Sequence, residues 1–449
     1  MPTQLTSVRP LTPRAAARPL RVAMVVGNAG TGDARVMKEA ESLVAAGHQV
    51  TVFGVLARGL AAKEVVNGVR YRRCAEPHRA LLPGDAPAVA AGPAPSRPGS
   101  GMISKIKDVI EPFVRHELMA ATFVGLVAAD RPDIIHAHDF ETLPAALRAA
   151  KRCGARVVYD MHELEEGRHP GPGPLLKRWK MWLEARAHRQ IAAAITTSPA
   201  YAEHKAGAYN IPEPIVVMNG PRIAPLSGPT LRDRCGLGPE TPLAAYIGLV
   251  SPGRGIETLL SALNHVPGMH LAILGTIRPE LEPAIAAARS ALKGRLHVLS
   301  PVPHAEVVHH IESADLGVCT IPGSCLSYEL CLPNKLLEMT LAGLPLLVAN
   351  TTQLTRFVTE TGNGQTVDAT DPAAVAAGLM AVYAARLRLA PAPAALAQLR
   401  ARYGWERQAA RLADVYDAVA AAPRGVPAPM AQRALATVLR PARFSVSGG

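Results

Sequence analysis

The strongest constraint on the fold is an alternation that runs along the chain twice: a short apolar run, a glycine-containing loop, an amphipathic helix, and a second apolar run. From Arg21 onward it reads RVAMVV, GNAGTGD, ARVMKEAESLVAAG and HQVTVFGV. Val36, Ala40, Leu43 and Val44 recur at helical spacing, and Gly47 stands where a helix would end in a left-handed turn. PDIIHAH, PAALRAAKRCG and ARVVYDMHE repeat the scheme, and AAAITTS and PIVVMNG close the first series. After a linker over about 221–242, LAAYIGLV, GIETLLSAL, HLAILG, LHVLS, a helix from His304, LGVCTI and LPLLVAN form a second series. Apolar strands separated by helices imply parallel sheets covered on both faces. The expectation is an α/β protein with two tandem Rossmann-like domains.

The expected organisation is a flexible arm over 1–19, a first domain over 20–220, a second over 221–395, a C-terminal helix over 396–421 and a disordered tail over 422–449. GDAPAVAAGPAPSRPGSG, about 84–101, is rich in Pro, Gly and Ala without periodicity and reads as a mobile insertion in the first domain. A length of 449 residues suits two such domains, and the net charge of +12 suits an anionic ligand. Aromatics at 4%, with no basic run interleaved with Phe or Tyr, argue against nucleic acid. The closest of the six cysteines are six residues apart, too far for a zinc knuckle, and read as reduced thiols. The opening segment has basic residues but no apolar core, and no later run reaches about 18 uncharged apolar residues. The expected location is cytoplasmic. LLKRWKMWLEARAHRQ, with Lys177, Arg178, Lys180, Trp179 and Trp182 close together, reads either as an ordinary helix of the first domain or as a peripheral contact with the inner face of a membrane.

The glycine loop Gly27, Gly30, Gly32 runs G-x-x-G-x-G rather than the dinucleotide order, and HQVTVFGV ends without a ribose-binding acid, so a nicotinamide enzyme is disfavoured. Backbone N–H groups there would suit an anion at a helix start. His136, His138 and Asp139 in HAHD, with Asp160, His162 and Glu163 in YDMHE, gather where strands end and a ligand crevice opens. No H-E-x-x-H or three-ligand spacing is present, and no metal is expected. Arg254 lies in the glycine-flanked loop GLVSPGRGIETLL, where a guanidinium can fork across phosphate oxygens. Pro333 is placed for the first position of a helix NKLLEMTLA, with Gly343 beyond its end. Asn334, Lys335 and Glu338 then share one side, and a lysine beside free N–H groups makes a phosphate site. Glu338 could accept hydrogen bonds from sugar hydroxyls.

Taken in order, the glycine loop with DARVMKEA and LVAAGHQVTVF, then IIHAHD, VVYDMHE, GRGIETLL and PNKLLEMTLAGLPLLV, resemble the family-four retaining glycosyltransferases with the GT-B fold, over about 21–420. That resemblance implies an interdomain crevice, a nucleotide-diphosphate sugar on the second domain, an acceptor on the first, and a C-terminal helix crossing back. It implies hexose-type transfer from that donor to a hydroxyl of a carbohydrate, lipid-linked or small-molecule acceptor, with no cofactor and no metal. The resemblance places His162, Arg254 and Lys335 at the reaction. Gly30, Gly253, Asn334, Glu338 and Glu329 fall to the donor, and Asp33, Arg35, His138 and Asp139 to the acceptor side. The family's earlier arginine is Leu249 here, with Lys335 its replacement. Glu338 matches the second acid of the family's E-x7-E signature, whereas the first falls on Leu330, one residue from Glu329. A P-N-K-L-x-E subgroup commonly lacks that first acid. Two other readings are a nucleotide-sugar epimerase and a non-catalytic nucleotide-sugar-binding partner.

Overall fold

A computed structural model of the chain describes residues 18–75, 117–168, 173–225, 228–423 and 432. In the first domain, β1 (Arg21–Val25), β2 (Gln49–Val55), β3 (Lys63–Val66), β4 (Val69–Cys74), β5 (Ile134–His138), β6 (Arg156–Met161), β7 (Ala193–Thr196) and β8 (Ile215–Val216) form one sheet. Its order is β3-β4-β2-β1-β5-β6-β7-β8. β3 alone is antiparallel, pairing with β4 across a two-residue turn in which Asn67 and Gly68 both have positive φ. This Asn-Gly hairpin lies outside the alternation read above, although Asn-Gly is a strong hairpin signal. The second domain is an all-parallel sheet of β9 (Leu243–Ile247), β10 (His270–Leu274), β11 (Leu296–Leu299), β12 (Leu316–Cys319), β13 (Leu346–Ala349) and β14 (Gly364–Val367). Its order is β11-β10-β9-β12-β13-β14.

The central strands are apolar throughout because helices cover both faces: every residue of β5 and of β9 is buried. Each sheet therefore carries two cores, one on either side. The first helix, Ala34–Ala45, buries Val36, Ala40 and Leu43, and Gly47 beyond it has φ +91°. The last helix, Trp405–Ala421, follows the helix Pro393–Tyr403, which packs on the Asn334–Leu341 helix of the second domain, and buries Leu412, Val415, Tyr416 and Val419 in the core of the first. Each of those side chains contributes about 1.5–3 kcal/mol by burial. Trp405 Nε1 donates to Ser42 Oγ at 2.9 Å and Met218 N donates to Gln408 Oε1 at 3.0 Å, so this helix fastens the segment after β8 and the first helix together.

The expectations for the insertion over 84–101 and for most of 422–449 lie outside the described residues. Gln432 is the exception within the expected disordered tail. It is buried, and its amide donates to the carbonyls of His188 at 2.9 Å and Ile191 at 2.7 Å. Pro333 is the N-cap of the Asn334–Leu341 helix rather than its first residue. The helix expected from His304 begins at Val307.

Candidate active site

Strand ends β5 and β6 bring the histidines of the first domain together. Asp139 follows β5 with φ +61°, a conformation costly for a residue with a Cβ and one that recurs at functional sites. There its carboxylate accepts the backbone N–H of His162 at 3.0 Å and lies 3.2 Å from His162 Nδ1. On the other side of the ring, Asp160 Oδ2 lies 3.1 Å from Nε2. Burial alone would lower the His162 pKa, but Asp139 and then Asp160 outweigh it and hold the imidazole protonated well above its usual range. Burial and the His162 charge push His138 down to about 3, so it stays neutral beside it at 3.2 Å. His162 thus carries a fixed positive charge, with both ring nitrogens facing carboxylates.

Arg35 and His138, expected on the acceptor side, are 3% and 2% exposed and lie inside the first domain. Arg35 Nε and Nη2 fork onto Asp160 at 2.7 and 2.9 Å, Nη1 donates to Val217 O at 2.8 Å, and Nη2 lies 3.0 Å from Glu39. Asp33 caps the first helix by accepting from Arg35 N and Val36 N. Gly30 N donates to Asn28 Oδ1 at 2.7 Å and Gly32 N to Met37 Sδ at 3.4 Å, so both glycine N–H groups are held within the loop and the helix that follows it. Glu39, His136, His138 and Asp160 offer metal-ligand atoms within 4.8 Å of one another. The cation in that cluster is already Arg35, which pairs with both carboxylates. Burial pushes Glu39 up to about 8, and His136 Nδ1 lies 2.8 Å from Tyr416 OH on the returning helix.

The second domain presents the opposite situation: buried cationic nitrogens without hydrogen-bond partners among the described residues. Lys335, in the first turn of the Asn334–Leu341 helix, is 5% exposed, and its Nζ has no hydrogen-bond partner among the described residues. It rests 3.7 Å from the centroid of the Tyr246 ring on β9. Arg254 Nε is likewise buried and unpartnered. Its loop is fixed by Gly253 and Gly255, both at positive φ; a Cβ on Gly255 would lie 1.9 Å from Thr320 O. Asn334 is exposed at the helix start, and no side chain caps the first N–H groups there. Burial, with Arg254 adding to it, lowers Lys335 to about 8. Burial also raises Glu338 to about 7 against the opposing pull of Lys38 and Lys335. An orphaned ammonium, an orphaned guanidinium nitrogen and an uncapped helix start together suit an anion with several oxygens.

Glu329 does not join them. It accepts from Thr352 N at 2.7 Å and from Thr352 Oγ1, at the start of the Thr352–Thr361 helix. Lys38 enters from the other domain. Its Nζ donates to Gly220 O at 2.6 Å and lies 4.6 Å over the Trp405 ring. Burial, then Arg35, lower it to about 7, while Glu338 opposes them. Sequence reasoning passed over Lys38, three residues from Arg35 on the same helix, and named Asp160 only as a member of the YDMHE cluster at its strand end.

Two Rossmann-like sheets in tandem, tied by a helix that crosses back to the first, define a GT-B glycosyltransferase architecture. Residues 30–220 match the family model for a glycosyl transferase 4-like domain, and residues 241–385 match that for glycosyl transferases group 1. The chain belongs to the family-four glycosyltransferases. It is 26% identical over 313 residues to a D-inositol 3-phosphate glycosyltransferase of Thermobispora bispora, covering 64% of this chain and 70% of the relative. It is 26% identical over 395 residues to a glycogen synthase of Mycobacterium tuberculosis, covering 84% and 88%. Among solved structures, sucrose-phosphate synthase of Thermosynechococcus elongatus superposes with a TM-score of 0.67 at 16% identity, covering 88% of this chain and 98% of that one. HepE of Anabaena, solved with UDP-glucose, superposes at 0.60 with 14% identity, covering 88% and 99%.

Proposed function

We propose that the protein transfers a hexose-type sugar, with retention, from a nucleotide-diphosphate sugar held on the second domain to a hydroxyl of an acceptor received by the first. The observation that carries this reading is the pair of buried, unpartnered cationic groups, Lys335 Nζ and Arg254 Nε, at one end of the second sheet. A buried donor without an acceptor is costly, and a diphosphate would satisfy both. Glu338, one turn further along the same helix, is placed for the ribose. The UDP-glucose bound by HepE is consistent with such a donor.

Breaking the glycosyl–phosphate bond leaves negative charge on the diphosphate, and preorganised cations and N–H dipoles at that point lower the barrier. In this reading Arg254, Lys335 and the start of the Asn334–Leu341 helix supply them. The acceptor hydroxyl attacks from the leaving-group face and a diphosphate oxygen takes its proton, so no side-chain base is needed. That fits a His162 ring whose two nitrogens already face Asp139 and Asp160. Its charge would stabilise the departing diphosphate from across the crevice. With protein cations in these positions the reaction would proceed without a metal. The acceptor is a carbohydrate, a small molecule or a lipid-linked glycan.

Thermal-shift measurements against a panel of nucleotide sugars and nucleoside diphosphates test the donor. Stabilisation that rises with ligand concentration is expected. Lys335→Ala and Arg254→Ala should each weaken binding about ten- to a hundredfold, as loss of a charge-assisted contact does. No stabilisation by any nucleoside diphosphate would overturn the reading. Transfer that stops when chelator is added would overturn its metal-independent form.

A further inference from the structure

The helix Pro174–Ala187 divides its residues between two environments. On the inner side, Trp179 meets Phe140 edge-on at 6.2 Å, Lys180 donates to Glu165 at 2.8 Å, and buried Glu184 accepts from Lys205 at 2.9 and 2.8 Å. On the outer side, Leu175 is 70% and Trp182 59% exposed, with Arg178, Arg186 and, just past the helix, Arg189 exposed beside them. Positions 175, 178, 182, 186 and 189 recur at helical spacing and share a stripe. The Arg186 guanidinium lies 5.8 Å from the Trp182 ring centroid. Glu184 is the only acid from Gly173 to Gln190, and it is buried, so the outer face is uniformly cationic.

The position of this helix ties it to the crevice. It packs against the turn Glu165–Gly167, which follows His162. Across that turn a Cβ on Gly167 would lie 2.9 Å from Leu326 of the second domain, so the turn marks the rim where the two domains meet.

We propose that this face rests on an anionic lipid bilayer, bringing the acceptor side of the crevice to the membrane surface. Two apolar side chains bury far less area than a stable protein–protein contact requires, which argues against a second copy of the chain or a folded partner. A tryptophan with arginines around it matches the interfacial zone of a bilayer, where the indole sits at headgroup level and long cationic side chains reach the phosphates. This extends the proposed function by giving its acceptor a lipid surface, and the docking itself does not depend on the donor.

The test is co-sedimentation of the full chain with vesicles of phosphatidylcholine alone and of an equal mixture of phosphatidylglycerol and phosphatidylcholine. Binding to the mixed vesicles only, abolished by high salt, is expected. The double variant Arg178→Gln/Arg186→Gln should bind them about 25-fold more weakly, about fivefold for each cation removed. Trp182→Ser should also bind more weakly. All three side chains are exposed, so the variants should keep wild-type melting temperatures. Wild-type protein that fails to sediment, that sediments equally with neutral vesicles, or that binds as well in both variants overturns the proposal. So does self-association of the wild type in light scattering that Trp182→Ser removes, since a second copy would then cover the face. Vesicle binding without any nucleotide binding would leave this inference standing and remove the donor reading instead.

Discussion

A side chain's availability separates the residues that hold this site together from those that can meet a ligand. Lys335 and Glu338 differ from His162 and Glu329 in this respect, and their protonation gives a prediction. Lys335 binds an anion only when charged, so affinity should fall as pH rises through about 8. In the proposed reading Glu338 would accept sugar hydroxyls as a carboxylate, so affinity should also fall as pH drops below about 7. Nucleoside diphosphate affinity is therefore expected to peak between those values, with each limb limited to about tenfold per pH unit for a single proton. In titration calorimetry across pH 6–10, Lys335→Arg should remove the alkaline limb and Glu338→Gln the acid one. A second prediction compares the two glutamates. Glu338→Ala should weaken nucleotide binding about tenfold or more. Glu329→Ala should leave affinity nearly unchanged and cost about 1 kcal/mol of stability in denaturant titration, because it caps the Thr352–Thr361 helix. The reverse pattern would move the ribose contact to Glu329.

At the scale of elements, glycine loops do different work in the two domains. The first loop is closed on itself through Asn28 and Asp33 and positions a helix. The second, around Arg254, is shaped by close approach to β12: Gly255 at φ +73° leaves no room for a Cβ beside Thr320 O. Gly255→Ala should displace the Arg254 loop and weaken nucleotide binding at least as much as Arg254→Ala, with a melting temperature lowered by strain at a positive-φ position. Side-by-side calorimetry and thermal melts would check it. Both sheets and most helices were legible from apolar period and glycine placement. The β3–β4 hairpin was not read because its strands alternate in exposure and fall outside the strand–helix rhythm, though its Asn67–Gly68 turn was there to be seen. β14, with two partly buried residues, one exposed and one buried, gave no apolar run to detect.

Across the whole molecule, a buried polar chain links the returning helix to the site: Tyr416 to His136, which stacks on His138, which meets His162, itself held by Asp160 and, through it, Arg35. Removing one member leaves its partner unsatisfied in a dry interior. Asp160→Asn should destabilise the fold by about 3–5 kcal/mol, because Arg35 would keep its buried charge without its main counter-ion. It should also bring the His162 titration down toward the accessible range, since one of its two carboxylates is gone. Tyr416→Phe should cost about 1–3 kcal/mol by orphaning His136 Nδ1. Histidine NMR titration and chemical denaturation would measure both.

The sequence alone determined the two-domain α/β architecture, the order of the motifs and the family they resemble, because these depend on apolar periodicity and local chain geometry. It also marked Arg254, Lys335 and Glu338 by their place at a loop and a helix start. The tertiary structure decided which marked residues are free. Arg35 meets Asp160 from 125 positions away, His162 meets Asp139 across 23, and Glu329 meets Thr352 across 23. Whether a charged side chain has a partner depends on which distant strands and helices the fold brings beside it, and no local pattern carries that information.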